Sequence, residues 1–146
     1  MKRKEIVTSF LFKDGKVLLL KRSDKVGTFR GKWAGVSGFI EEENSLDAAL
    51  REIKEETGVD KKHLELLKSG TPFDVNDVVN DTIWSINPFL FLFKGKEINI
   101  DWEHDAFEWI YPKEMENYDT VTNLKKTLFD LIKNSDAEQM IENLKF

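Results

Sequence analysis

Residues 38–59 read GFIEEENSLDAALREIKEETGV, and the rest of the chain is organised around this stretch. Its second half has the period of a helix: Leu46, Ala49, Leu50, Ile53 and Thr57 recur every three or four residues and form one stripe facing a core. Asn44 or Ser45 can cap the start, and Gly58 can take the left-handed conformation that ends such a helix. On this wheel Glu52, Glu55 and Glu56 gather on a face away from the Leu46/Ile53 stripe, with small Ala48 beneath them. Like charges at this spacing repel by a few tenths of a kcal/mol per pair, so crowding them gains nothing unless a cation sits among them. Mg²⁺ is such a cation, because it takes oxygen ligands, keeps several waters and completes its shell with substrate phosphates. For three glutamates alone, a solvated acidic face is the plainer explanation.

The surrounding pattern points away from that explanation. Glu43, then seven residues, then Arg51, Glu52, Ile53, Lys54, Glu55, Glu56, Thr57, Gly58 and Val59 resemble the box of the Nudix hydrolases. That box is G-x5-E-x7-R-E-U-x-E-E-x-G-U, with U a bulky aliphatic residue, and the match from Glu43 onward has no mismatch. At the front only four residues separate Gly38 from Glu43. This shortening leaves open whether Glu43, or a neighbour such as Glu41 or Glu42, plays the part of the first acid.

The resemblance implies an α/β (α+β) fold, an α/β/α sandwich around a mixed β-sheet, with residues 1–146 as a single domain. It also implies metal-dependent hydrolysis of a phosphoanhydride in a nucleoside diphosphate linked to another group. The substrate would be a nucleoside triphosphate, a nucleotide sugar or a dinucleotide, and the products a nucleoside monophosphate plus the phosphorylated remainder. Mg²⁺, with Mn²⁺ as the alternative, would be held by Glu52, Glu55 and Glu56, and would lower the pKa of a bound water. Glu55, Glu56 or Glu103 would take the proton. Arg51 lies off the metal face and has an orienting role, paired with Asp47 or Glu55 on the helix or with Glu43 in the loop. The rival is a non-catalytic Nudix-like sensor that binds nucleotide or RNA. Such modules often lose box acids, and this chain keeps Arg51, Glu52, Glu55 and Glu56. Isopentenyl-diphosphate isomerases share the fold but are expected to need a cysteine, which the chain lacks.

Working outward, Ile6–Phe12 and Val17–Arg22 are strand-like runs joined by Lys13-Asp14-Gly15-Lys16, a hairpin signal. Residues 23–32 form a polar loop, and Trp33–Ser37 is a short strand that delivers the chain to the box. The resemblance puts the basic loop near substrate, which makes Arg22, Arg30 and Lys32 candidates for phosphate contacts. Trp33 is expected to pack rather than stack on a base. Leu64–Ser69 is a strand broken by Gly70-Thr71-Pro72; residues 73–81 are either a strand and turn or a substrate-side loop. Thr82–Phe93 is β-rich, with Asn87-Pro88 as a bulge or bend, and Ile98 and Ile100 alternate into a further short strand after Lys94-Gly95-Lys96.

In Trp102-Glu103-His104-Asp105 the resemblance implies an acid that reaches back to the metal site, matched to Glu103 first and Asp105 second. His104 is expected to be solvated. A short helix begins at Tyr111-Pro112, an amphipathic one near Thr122 with Leu124, Leu128, Leu131 and Ile132. Ser135 and Glu138 form a capping box for a last helix carrying Met140, Ile141 and Leu144.

Composition narrows the class further. A 146-residue chain with 40% hydrophobic and 34% charged residues builds one folded domain. The longest apolar run, Phe89–Phe93, is too short to span a bilayer, and no stretch resembles a secretory signal. The absence of cysteine excludes disulfides and thiol chemistry and agrees with a cytoplasmic location. A net charge of −5 argues against an extended nucleic-acid surface but not against a nucleotide carrying Mg²⁺. Lys2-Arg3-Lys4 is expected to be a solvated terminus. The partner is therefore a small-molecule nucleotide, with the chain a monomer or homodimer.

Overall fold

The computed structural model describes residues 1–143, with side chains through residue 141. The strands are β1 (Lys2–Lys13), β2 (Lys16–Arg22), β3 (Trp33–Ala34), β4 (Val36–Phe39), β5 (Leu64–Ser69), β6 (Phe73–Asp77), β7 (Thr82–Phe93) and β8 (His104–Ile110). The helices are α1 (Ser45–Thr57), α2 (Leu124–Ile132) and α3 (Asp136–Asn143), with 3₁₀ turns at Lys61–His63 and Pro112–Asn117.

The β1–β2 hairpin turns on Asp14 and Gly15, both at positive φ (52° and 77°), as the Asp-Gly pair requires. Its arms pair next to the turn, Phe12 with Val17. Farther from the turn, the segment that leads to the box bridges them: Ala34 pairs with Leu20 of β2, and Val36 to Phe39 pair with Ser9 to Ile6 of β1. The single strand expected at Trp33–Ser37 is thus two, separated by Gly35. A Cβ at Gly35 would lie 2.8 Å from the Ser9 carbonyl oxygen, so the close crossing needs glycine.

On its other edge β1 runs parallel to β7 from Lys2↔Thr82 to Phe12↔Leu92. The outer edge of β7 is shared: β6 pairs as far as Phe73↔Ile86, and β5 takes over from Ser69↔Phe89. Asn87-Pro88 therefore marks the change of partner rather than a break in β7, and the Pro88 carbonyl accepts the Gly70 N–H.

Alternation along the central strands builds two cores. Val7, Leu11, Leu18, Leu20, Phe89, Phe91 and Phe93 meet Ala48, Ala49 and Ile53 of α1 on one face. Phe10, Phe12, Val17, Leu19 and Leu90 meet Leu124, Leu128 and Leu131 of α2 and Ala137 of α3 on the other. The result is the expected α/β/α sandwich on a mixed sheet. Trp33 packs edge-on against Tyr118, with centroids 5.2 Å apart. No helix among the described residues is long and apolar enough to cross a membrane.

Three local expectations are corrected. Ile98 and Ile100 form no strand; they pack on the α1-side core while the Asn99 N–H caps the α1 end at the Thr57 carbonyl. The basic start is exposed, as expected, but it is no loose terminus: it belongs to β1, with Arg3 forked onto both Asp74 carboxylate oxygens and Lys4 over the rings of Phe39 and Trp84. The Ser135/Glu138 capping box does not form, because the Ser135 hydroxyl donates back to the Ile132 carbonyl and Glu138 accepts the Asn134 N–H. Met140 and Ile141 pack on the α2-side core; Leu144 lies outside the described residues.

Candidate active site

Helix α1 begins at Asn44, whose side chain accepts the Asp47 N–H, and ends at Gly58 in the left-handed region (φ 75°). Between these caps the three box glutamates separate, where one shared patch was expected. The Glu52 and Glu56 residues are 9% and 2% exposed, whereas the Glu55 side chain is 56% exposed. Glu52 and Glu56, four residues apart, point inward together and Glu55 points out.

Arg51 is the hub of the outer acids. Its Nε and Nη2 donate to the two oxygens of Glu42 at 2.6 and 3.2 Å, and Nη2 also donates to the Phe39 carbonyl. Its Nη1 donates to Glu52 Oε1 at 2.7 Å and Glu55 Oε2 at 3.3 Å. The hydrogen bonds from Arg51 hold the Glu42 carboxyl below its usual pKa, and Glu42 in turn raises that of the guanidinium. Glu43 is exposed and Asp47 is taken by Asn44, so neither is the partner expected for Arg51. With one residue missing from the loop, Glu42 is the acid brought to the arginine.

Gly38 lies against the Glu52 carboxylate, and a Cβ there would sit 2.1 Å from its carbon. The glycine that opens the box is thus a cradle for the helix acid. Behind Glu52 is Glu56, whose carboxyl is pushed well above its usual pKa by burial, then by Glu52, Glu103 and Asp101.

The loop before β8 supplies the other wall. Ser23 at the end of β2 anchors it through its N–H to the Glu103 carbonyl and its hydroxyl to the Trp102 carbonyl. Burial and the neighbouring Asp101 and Glu52 push the Glu103 carboxyl up, while Arg22 opposes the rise. His104, expected to be solvated, is 5% exposed: Asp101 accepts its Nδ1 proton at 2.9 Å, and Nε2 lies 3.4 Å from Glu56 Oε1. Burial lowers the pKa of the imidazole despite Asp101. Asp105, the second choice for a reaching acid, is exposed.

Glu52 and Glu103 come together at the wall of a cavity of about 430 Å³, which Arg22, Lys25, Phe39 and Trp84 also line. Arg22 Nε donates to the Thr28 carbonyl and Nη2 to the Thr28 hydroxyl, which leaves Nη1 for a ligand. Arg30 and Lys32 do not line this cavity. Arg30 donates to the Val26 carbonyl, and Lys32 is paired with Asp119 at 2.9 Å. Sequence reasoning missed Lys4, Phe39, Trp84 and His104. For Lys4 the period of two was the available signal, since Lys4, Ile6 and Thr8 all line the cavity.

Among the described residues no three Asp, Glu or His side chains converge as a ready-made cation site. The donor chemistry nevertheless fits a hard divalent ion. Every donor is a carboxylate oxygen, Glu56 Oε2 is buried without a hydrogen-bond partner, and Gly38 leaves room for the Glu52 head group.

Residues 2–131 match the family model of the NUDIX domain. Nucleoside triphosphatase NudI of Escherichia fergusonii is 33% identical over 139 residues, covering 88% of this chain and 96% of the relative. NudI of Shigella sonnei is 30% identical over the same shares. Among solved structures, a NUDIX hydrolase from Nitrosomonas europaea has a TM-score of 0.73 at 18% identity, covering 88% of each chain. The MutT NUDIX hydrolase from Burkholderia pseudomallei has a TM-score of 0.71 at 22% identity, covering 90% of this chain and 99% of its own. The box, the three-layer fold and these likenesses agree: the chain belongs to the NUDIX domain family.

Proposed function

We propose that the chain hydrolyses a phosphoanhydride bond of a nucleoside triphosphate or a related nucleoside diphosphate derivative, with a divalent cation held by Glu52 and Glu56, the two box acids that point inward; Glu55, expected as a third ligand, points out. The observation that carries this reading is the meeting of Glu52 and Glu103, from separate elements, on the wall of a cavity that also has a guanidinium and an aromatic pair. Family membership makes the chain a nucleotide pyrophosphohydrolase. The naming of its relatives as nucleoside triphosphatases, nearly full length in the match, favours triphosphates over nucleotide sugars and dinucleotides.

The bound cation, Mg²⁺ or Mn²⁺, would neutralise the diphosphate and lower the pKa of a bound water. Everything else falls to the chain's own groups. Arg22 lines the cavity, is held there through Nε and Nη2, and binds a phosphate oxygen. Phe39, half exposed, gives the base a face to stack on, with Trp84 beside it at 6.2 Å between centroids. Glu103 is the carboxylate best placed to take the proton of the attacking water, because Glu55 points outward and Glu56 lies behind Glu52. As the water oxygen bonds to phosphorus, the bridging P–O bond breaks and its electron pair leaves with the departing phosphate. Arg51 holds Glu52 and Glu55 in place and contacts no substrate.

The test is phosphate and pyrophosphate release from nucleoside triphosphates, nucleotide sugars and dinucleotides, with Mg²⁺ or with EDTA, by the wild type and Glu56→Gln. Metal-dependent turnover of one class, lost by orders of magnitude in the variant, is the expected result. A chain that binds a nucleotide and turns over none would be a sensor, and the reading would be abandoned.

A further inference from the structure

His104 sits where regular β-pairing would not put it. Along β2 and β8 the partners run from Val17↔Ile110 to Lys21↔Ala106, and then Arg22 pairs with His104, not Asp105. One extra residue has entered β8 at this point, a β-bulge. In an unbroken ladder Asp105 would face Arg22 and His104 would project from the opposite side, because a slip of one residue exchanges the faces. The bulge instead brings His104 to the side of Leu18 and Leu20, the side covered by α1 and Glu56.

Two further features fix the ring. Asp101 accepts the Nδ1 proton at 2.9 Å, and the His104 backbone N–H donates to the Asp101 carbonyl at 3.2 Å. That leaves Nε2, which has no hydrogen-bond partner and faces Glu56 Oε1 at 3.4 Å. Both side chains are almost sealed, at 1% and 2% exposure. Packing alone would favour an apolar residue here, since a buried ring nitrogen without a partner is destabilising.

We propose that His104 is a positioning residue: anchored by Asp101, its sealed ring closes off the Oε1 side of the Glu56 carboxyl and so leaves Oε2, which has no partner, as the oxygen offered to the cation. This rests on the function proposed above, and adds to it a residue outside the box that orients one of the acids inside it. A partner of this kind behind a metal ligand is typically worth about 10–100-fold in metal affinity or activity.

The test titrates the full chain with Mn²⁺, without nucleotide, and follows the free ion by electron paramagnetic resonance. His104→Ala should weaken binding by about 10–100-fold and lower kcat by a similar factor, with KM for nucleotide unchanged. His104→Gln, which keeps a polar nitrogen within reach of Glu56, should restore part of both. The wild type gives an independent readout, because the chain has only two histidines and His63 is exposed. In ¹⁵N spectra, added Mg²⁺ should move the ring signals of His104 and leave those of His63 in place. Unchanged Mn²⁺ affinity in His104→Ala, with binding lost in Glu56→Gln, would overturn this proposal alone. Equal losses in the Ala and Gln variants that follow a falling melting temperature, or a His104 signal indifferent to Mg²⁺, would also overturn it. A wild type that binds no Mn²⁺ would remove the cation reading and this proposal with it.

Discussion

Glu56→Gln should make the chain more stable at alkaline pH while it abolishes turnover. The Glu56 carboxyl is 2% exposed, and its pKa is raised by burial and then by Glu52, Glu103 and Asp101. A raised carboxyl keeps its proton in the folded chain at pH values where the unfolded chain has already lost it. Its contribution is therefore fully present below the unfolded value of 4.5 and is lost as pH rises through the folded value. One proton of difference gives a slope of at most about 1.4 kcal/mol per pH unit, or roughly 3–6 °C per unit in melting temperature for a chain of this size. The imidazole of His104 has the opposite sign. Its lowered pKa makes stability rise with pH toward the unfolded value of 6.5, and His104→Ala in both backgrounds separates its share from that of Glu56.

The assay is a melting series from pH 4 to 9 in EDTA on wild type and variant, plotted as the difference between them. The wild type should fall away from Glu56→Gln as pH increases. Mg²⁺ at 100 times its dissociation constant should then raise the wild type by about 2.7 kcal/mol and leave the variant nearly where it was. A difference flat across the whole range, or a wild type that gains on the variant with rising pH, would refute the assignment of Glu56 as an uncompensated buried acid.

Gly38→Ala pushes the new Cβ into the Glu52 carboxylate, the movable end of a side chain, so kcat should fall about 10–100-fold with little change in the urea midpoint. Gly35→Ala meets the Ser9 carbonyl oxygen, which is backbone and cannot turn away, and should cost about 1–3 kcal/mol in urea unfolding. Phe39→Ala removes a half-exposed ring; it should raise KM for nucleotide by about 5–100-fold, the range of base stacking, and leave kcat within about twofold. Arg51→Lys keeps the charge but loses the fork onto Glu42 and the shared contact with Glu52 and Glu55; steady-state assays should show kcat down about 10–100-fold.

What could be read in advance was local chemistry. Asn44 and Gly58 bound α1 because a cap and a left-handed terminus depend on single residues, and Asp14-Gly15 turned the hairpin for the same reason. What could not be read depended on partners far along the chain. In sequence Lys32 and Arg22 are equivalent basic loop residues, yet Lys32 is taken by Asp119, 87 residues later, and Arg22 faces the cavity. β6 was ambiguous because its polar residues looked like a loop, and the arginine that pairs with Asp74 lies in β1. His104 looked like any loop histidine because its burial comes from a bulge, and a bulge is a property of two strands together.

The acids around Arg51 and His104 are compensated in two different ways, and the difference bears on the proposed cation. The guanidinium is permanently charged and makes contacts of 2.6–3.3 Å with Glu42, Glu52 and Glu55, so one positive charge is divided among three carboxylates. Glu56 has no such partner. Its nearest basic group is an imidazole whose pKa burial lowers, a weaker counter-charge than a guanidinium. Glu103 adds another carboxylate, which Arg22 opposes from the cavity side. The carboxyls left short of a counter-charge are therefore Glu56 and Glu103, beside Glu52 where the cavity meets α1. A phosphate entering beside Arg22 would be repelled there unless a divalent ion came with it. The same crowding that makes Glu56 costly to ionise in the bare chain would give the proposed cation its affinity, so stability lost to that carboxylate without metal should return when metal binds.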